Sequence, residues 1–470
     1  MINPIIMNKL LLILCSLFCL SLANSQTTFK AKVLIADTGD QPFSLVSGDF
    51  NSDGNQDLII ATFADNTIEL YAGNGNGGFN LHASLTNTLS GITDVIFVDL
   101  NGDTFGDIAV CSYNDDTVAW FANDNAGGGN FGAQQNISTA IDGASGLTAG
   151  TIDAGASNDL MVAAFDGDEI FWFSNNGTGT FTGPTSVDNT LSGPGYITLS
   201  NVDGDTDLDA VVTTSQNTAT NVVQIFRNDG AGNFTKDASA VATGLNYVNK
   251  AEVDDVDGDT NLDILVPILG STPGTGSLIW YEDNGAGFTS NPITTSFGNP
   301  AKVLMADLDD DGMKDMVVSS GALLDLNDLV WFKNNGAGSF GTEQVIDNTQ
   351  GQAYTFVVVD FDDDGDLDLA SGAYNDDQLN WFENEKYPIL DVSDLDKNTF
   401  SIYPNPSRDE LSFNGNYLGQ FVVSVYDIFG KRVITSTKTI NEQLDISKLQ
   451  TGVYFLKVND YSNALKFIKQ

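Results

Sequence analysis

The densest chemistry in the chain is the stretch DFDDDGDLDL, Asp360 to Leu369. Asp360, Asp362, Asp364 and Asp368 stand at its first, third, fifth and ninth places, and Gly365 stands at the sixth. Oxygen ligands at that spacing, on a loop turned sharply by a glycine, suit a hard cation of flexible coordination such as Ca²⁺. Without a cation, several carboxylates held so close would repel one another. The candidate ligands recur. They are Asp49, Asn51, Asp53 and Asp57 in loop 1, and Asp99, Asn101, Asp103 and Asp107 in loop 2. Loop 4 offers Asn201, Asp203, Asp205 and Asp209, loop 5 Asp255, Asp257, Asp259 and Asp263, and loop 6 Asp307, Asp309, Asp311 and Asp315. Loops 5, 6 and 7 carry four aspartates each and are expected to bind most tightly. Loops 1, 2 and 4 replace one carboxylate with an amide, which lowers the ligand charge and the affinity. Loop 3 keeps Asp153 and Asp159 but has Thr151 and Gly155 where ligands belong, so no ion is expected there. In loops 2, 4 and 5 the glycine stands at the fourth place (Gly102, Gly204, Gly258) with Thr at the sixth, which predicts a different turn.

The closing aspartates, Asp57, Asp107, Asp159, Asp209, Asp263, Asp315 and Asp368, fall at intervals close to 50 residues. Such a period means one supersecondary unit repeated. Each unit has an apolar run before the acidic loop and another after it (DLIIAT, DIAVCS, DMVVSS). A third run ends in aromatics (VAWFAN, IFWFSN, LVWFKN), followed by an Asn/Gly turn closed by Phe. Short runs rich in β-branched and aromatic residues, cut by Asn, Asp and Gly, predict antiparallel strands. The fold class is therefore all-β. Four strands in each of seven units predict a seven-bladed β-propeller over 26–386, followed by a small C-terminal β-sandwich. The seventh unit stops at Glu385 without a fourth strand, and TTFKAKVLIADT from Thr27 is expected to supply it. The five tryptophans, Trp120, Trp172, Trp280, Trp331 and Trp381, share one place in the repeat, which points to packing; stacking on sugar is the competing role.

At the N-terminus, Lys9, the uncharged run Leu10–Leu22 and the small residues before Gln26 read as a secretory signal over 1–25. No later run is long enough for a transmembrane helix. Cys15 and Cys19 would leave with the signal. Cys111, within IAVCS, is expected to be a core residue without a disulfide. Between Gln26 and Asn398 there are 10 Lys and Arg against 57 Asp and Glu, whereas from Thr399 to Gln470 there are 8 against 6. That step marks a linker at 387–398 and a separate domain at 399–470. The acidic part will repel nucleic acid and anionic lipid.

The D-x-[DN]-x-D loops and the W-F…N-G-x-G-x-F segments across Thr27–Lys386 resemble the FG-GAP/VCBS repeats of integrin-α-like propellers. The resemblance implies calcium in the loops on one face and a ligand, a glycan or a surface protein, on the other. The loops that would face that ligand hold Phe43, Asp94, Tyr196, Tyr247, Lys250, Lys302 and Tyr354, with Asn114–Asp116 and Asn375–Asp377 nearby. In the last 70 or so residues, YPNP, VYDIFGKRV and L-x-TGVYFLKV resemble the type A sorting domain of the Bacteroidota type IX secretion system. This implies that the type IX secretion machinery is a partner and that the protein is secreted or placed on the outer cell surface.

Catalytic material is sparse. The only histidine is His82, and neither a Ser/His/Asp set nor a Cys/His zinc site can be assembled. The expectation is a calcium-binding adhesion or capture protein, not an enzyme. The alternative is a polysaccharide-degrading, lyase-like enzyme signalled by a cleft with a Tyr/Lys/Arg cluster of shifted pKa values. A passive surface scaffold is the third reading.

Overall fold

The computed structural model describes residues 28–385 and 401–470, apart from short stretches inside each range. The expected signal at 1–25 and linker at 387–398 lie outside the described residues. The chain divides into Thr27–Glu385 and a second unit containing Lys386–Gln470. Both are all-β, built from antiparallel sheets and without helices among the described residues, an arrangement consistent with a propeller in the larger unit.

Each repeat makes one sheet in sequence order. Sheet 1 comprises Pro42–Gly48, Asp57–Thr62, Ile68–Gly73 and Phe79–Ser84, and sheet 2 follows with Ile92–Val98, Asp107–Ser112, Thr117–Phe121 and Gln135–Ser138. The pattern continues to a sheet of Ala353–Val359, Asp368–Ala373 and Gln378–Phe382, whose outer strand is Val33–Asp37. The chain's beginning thus completes its last sheet, with Val33 opposite Trp381 and Asp37 opposite Gln378. The second strand of every sheet in the larger unit is buried throughout (for example DLIIAT and DMVVSS), which explains why these runs are mostly apolar. First strands touch one another in cyclic order, and Ala353–Val359 returns to Pro42–Gly48. In the smaller unit, sheets of three and four strands share one apolar cluster around Leu411, Val425, Leu456 and Phe467.

Two devices join neighbouring sheets. The tryptophans are core residues, all at most 8% exposed. Four of them cover a glycine in the Asn/Gly turn of the next sheet: Trp120 on Gly179, Trp172 on Gly232, Trp280 on Gly338 and Trp381 on Gly77. The second device is the Asn that ends the aromatic run. Asn123 Nδ2 donates to Phe50 O at 2.9 Å, Asn175 to Leu100 O at 2.8 Å, Asn334 to Val256 O at 2.9 Å and Asn384 to Leu308 O at 3.0 Å, each reaching back one repeat. The Gly77 contact is the strictest. Its φ is +68°, and a Cβ there would sit 2.0 Å from the Trp381 ring. Gly77→Ala should therefore cost about 2–4 kcal/mol, combining backbone strain with displacement of the indole. Urea denaturation of the variant measures this; a loss below about 1 kcal/mol would mean the contact is loose.

Candidate metal loops and an axial cavity

Each acidic loop leaves the end of a first strand and enters the buried second strand. The two left-handed residues that turn it are at the fourth and sixth places in all six ligand-bearing loops. They are Ser52 and Gly54, Gly102 and Thr104, Gly204 and Thr206, Gly258 and Thr260, Asp310 and Gly312, and Asp363 and Gly365. The expectation of a different turn in loops 2, 4 and 5 is corrected: glycine only exchanges places between two equivalent positive-φ sites. Loop 3 shows neither, and there Asp153 is taken up by Gly155 N–H and by Ser174 Oγ at 3.0 Å.

Backbone N–H groups hold the carboxylates in place before any ion is considered. Asp49 Oδ2 accepts from Gly54 N, Asp255 Oδ2 from Thr260 N and Asp360 Oδ2 from Gly365 N, at 2.9 to 3.0 Å. Fifth-place aspartates cap the residue two further on, as Asp259 does for Asn261. Oxygens of Asp255, Asp257 and Asp259, of Asp307, Asp309 and Asp311, and of Asp360, Asp362 and Asp368 lie within 4.8 Å of one another. Asp364 stays outside its cluster and caps Asp366 N at 3.2 Å. Asp360 Oδ1 and Asp362 Oδ1 in loop 7, and Asp309 Oδ1 in loop 6, are buried without a hydrogen-bond partner. Orphaned, converging carboxylate oxygens on a backbone-braced loop are the donor set that a hard divalent cation takes.

The closing aspartates do something else as well. Asp57 accepts from Phe50 N (3.0 Å) and Gly73 N (2.8 Å), and Asp107 from Leu100 N and Asn123 N (both 2.8 Å). Asp315 accepts from Leu308 N (3.1 Å) and Asn334 N (2.8 Å), and Asp368 from Phe361 N (3.2 Å) and Asn384 N (2.8 Å). Loop 3 repeats the pattern with Asp159, Ile152 N and Asn175 N. Each carboxylate therefore ties the loop's start to the end of the third strand, and it does so even where the other ligands are missing. Burial pushes Asp57, Asp315 and Asp368 up to about 7, with the backbone donors opposing the shift.

At the opposite end of the first strands, residues far apart in sequence surround a cavity of about 340 Å³. Its lining includes Phe43, Asp94, Tyr196, Lys250, Lys302 and Tyr354, drawn from different sheets. Tyr247, Asn114–Asp116 and Asn375–Asp377 are not in this lining. Asp116 and Asp377 instead accept N–H bonds from Gly143 and Gln41 across to neighbouring sheets, and Asp376 accepts one from Gly351 within its own repeat. Tyr196 and Tyr354 face each other with their hydroxyls 3.4 Å apart, and Phe43 leans on Tyr354 with ring centroids 4.8 Å apart. Lys302 Nζ donates to Phe356 O at 2.7 Å and lies over the Phe356 ring. Burial lowers its pKa to about 8, with nearby Lys250 acting in the same direction. Glu252, which the sequence did not mark, also lines the cavity and is pushed up to about 7 by burial and then by Asp254. Asp94 is engaged by Ser44 Oγ at 2.9 Å and Leu147 N at 3.1 Å, so it braces the rim. A larger open groove, about 600 Å³, lies beside loop 4 along Arg227 and Asp237.

Residues 49–110 match the FG-GAP-like repeat, and residues 401–470 match the secretion system C-terminal sorting domain. The chain carries an FG-GAP repeat and a sorting tail. The tail marks the chain as secreted or placed on the outer cell surface, where it meets the type IX secretion machinery. Among the described residues, no helix is long and apolar enough to cross a membrane. No curated protein matches the chain. Solved structures are similar at low identity, and the first named here shares the fold. BBS1N in complex with ARL6DN, soaked with lead, is 10% identical with a TM-score of 0.52, covering 76% of this chain and 97% of that one. The mercury-soaked crystal gives 10%, a TM-score of 0.50, and 77% and 98% coverage. A lectin of Agrocybe aegerita that recognises non-reducing terminal N-acetylglucosamine is 18% identical with a TM-score of 0.47, covering 77% and 93%.

Proposed function

We propose that this FG-GAP protein is a calcium-stabilised, seven-bladed propeller with a C-terminal sandwich, and that it captures a glycan at the cell exterior. The observation that carries the binding role is the axial cavity, which gathers Phe43, Tyr196, Lys250, Lys302 and Tyr354 from separate repeats. Aromatic faces stack on sugar rings, and convergent ammonium and hydroxyl donors fix orientation, which is the usual make-up of a small-molecule site. The cavity is also sized for a sugar residue or two. The lyase-like alternative draws on the Tyr/Lys pairing, since Lys302 with its lowered pKa would make a serviceable proton acceptor. Both tyrosines, however, are driven upward by burial, away from the range where a phenolate base operates at neutral pH. Capture is the better-supported reading.

The test is a glycan and polysaccharide array probed with the full exported chain and with Lys250→Ala, whose side chain is only half-buried. Binding by the parent and a loss of about tenfold in the variant, equivalent to ~1.4 kcal/mol, are expected at unchanged melting temperature. Shortened or unsaturated products would favour the enzyme. Silence on every glycan would point to a protein ligand.

A further inference from the structure

The residue that follows the aromatic of the third strand differs in charge from repeat to repeat, and in repeats 3, 4 and 6 its side chain contacts the acidic loop. The aromatic before it is always in the same register: Phe226 opposite Ala210, Tyr281 opposite Ile264, Phe332 opposite Met316 and Phe382 opposite Leu369. The next residue is Ala72, Ala122, Ser174, Arg227, Glu282, Lys333 and Glu383 in repeats 1 to 7. Where its contact is a hydrogen bond or ion pair with the loop, it reaches the residue at the third place. Ser174 Oγ meets Asp153. Arg227 Nη1 lies 3.7 Å from Asp203 and 3.3 Å from Asp209, while its Nε and Nη2 pair with Asp237 outside the loop at 3.2 to 3.4 Å. Lys333 Nζ lies on Asp309 and 2.8 Å from Asp311. The Lys333 ammonium and Asp309 carboxylate are 21% and 0% exposed, so solvent screens this pair far less than it would a surface ion pair.

We infer that Arg227 and Lys333 are built-in cations that offset the charge of loops 4 and 6, so that calcium enters loops 5 and 7 first, loops 1 and 2 next, and loops 4 and 6 not at all. This rests on the calcium reading above and changes its ranking, since loop 6 has a full set of aspartates. A tethered ammonium competes at high effective concentration and needs no dehydration of a divalent ion. In repeats 5 and 7 the same place carries Glu282 and Glu383, which add to the loop's negative charge; Glu383 is shared with Lys30. Ligand charge is what sets affinity in such loops.

The experiment is calcium titration calorimetry on the full chain, paired with crystals grown in calcium, for the parent, Lys333→Met and Glu282→Lys. The inference expects ions in loops 1, 2, 5 and 7 of the parent and one further ion in loop 6 of Lys333→Met, where the methionine keeps the packed stem. Glu282→Lys should empty loop 5 or weaken it roughly tenfold or more. Ions in loops 4 and 6 of the parent, with Lys333 swung aside, would overturn the inference and leave the calcium reading standing. No ion in any of the three proteins would overturn both.

Discussion

Asp159→Ala is expected to lower stability by about 3–5 kcal/mol, and by the same amount in calcium and in chelator. Asp159 is buried and receives Asn175 N at 2.7 Å, Ile152 N at 3.1 Å and Asp153 N at 3.2 Å. Hydrogen bonds to a charged acceptor are among the stronger ones, and alanine leaves buried N–H groups with no replacement. Loop 3 makes the experiment clean because it lacks the ligand set of its neighbours. Asp368→Ala removes the equivalent staple, with Phe361 N and Asn384 N, and also one member of the loop 7 carboxylate cluster. Its loss should therefore be larger in calcium than in chelator. Urea midpoints for both variants, each measured with calcium and with EGTA, separate the two roles. A calcium-dependent loss at Asp159 would mean that loop 3 holds an ion, and a loss below about 1 kcal/mol would contradict the staple assignment.

That staple shows where sequence reading reaches and where it stops. The period, the strands, the acidic loops and the return of the N-terminal strand were legible because each is a local pattern repeated along the chain. The double use of Asp57 or Asp315 was not, since spacing alone marks the ninth place as a ligand and says nothing about N–H groups arriving from the third strand. The asparagine of W-F-x-N recurred as visibly as the tryptophan, yet its partner lies one repeat back, as between Asn334 and Val256. In loops 2, 4 and 5 the displaced glycine suggests a different turn, whereas Thr104, Thr206 and Thr260 adopt the left-handed conformation themselves. Loop residues such as Phe43, Lys302 and Tyr354 could be named, but their meeting could not. Tyr196 and Tyr354 are 158 positions apart and become neighbours only when the ring of first strands closes. Glu252 gave no signal because it opens a strand next to the conspicuous Asp254 and Asp255.

Closure of that ring carries the other large effect. Removing residues 27–38 while keeping the export signal should lower the melting temperature by roughly 10 °C or more and broaden the transition. The segment is the outer strand of the last sheet, with Leu34 opposite Asn380 and Ala36 opposite Leu379. It is also bonded at both ends, by Lys30 N to Glu383 O at 2.8 Å and Thr38 N to Asp377 O at 2.7 Å. Ile35 and Ala36 pack on the cluster containing Leu379 and Trp381, and Phe29 packs on the one containing Trp331 and Phe382. Without these contacts, Gln378–Phe382 becomes an unprotected edge whose N–H and C=O groups invite pairing with another chain. The first and last sheets would then be held mainly by Trp381 on Gly77 and by the adjoining first strands. A synthetic peptide of residues 27–38 added to the truncated protein should restore part of the melting temperature, because the missing interactions are those of one strand. A truncated chain that melts within about 2 °C of the full one would mean that the sheets hold together without the closing strand, and that the pairing of the two ends is incidental to stability.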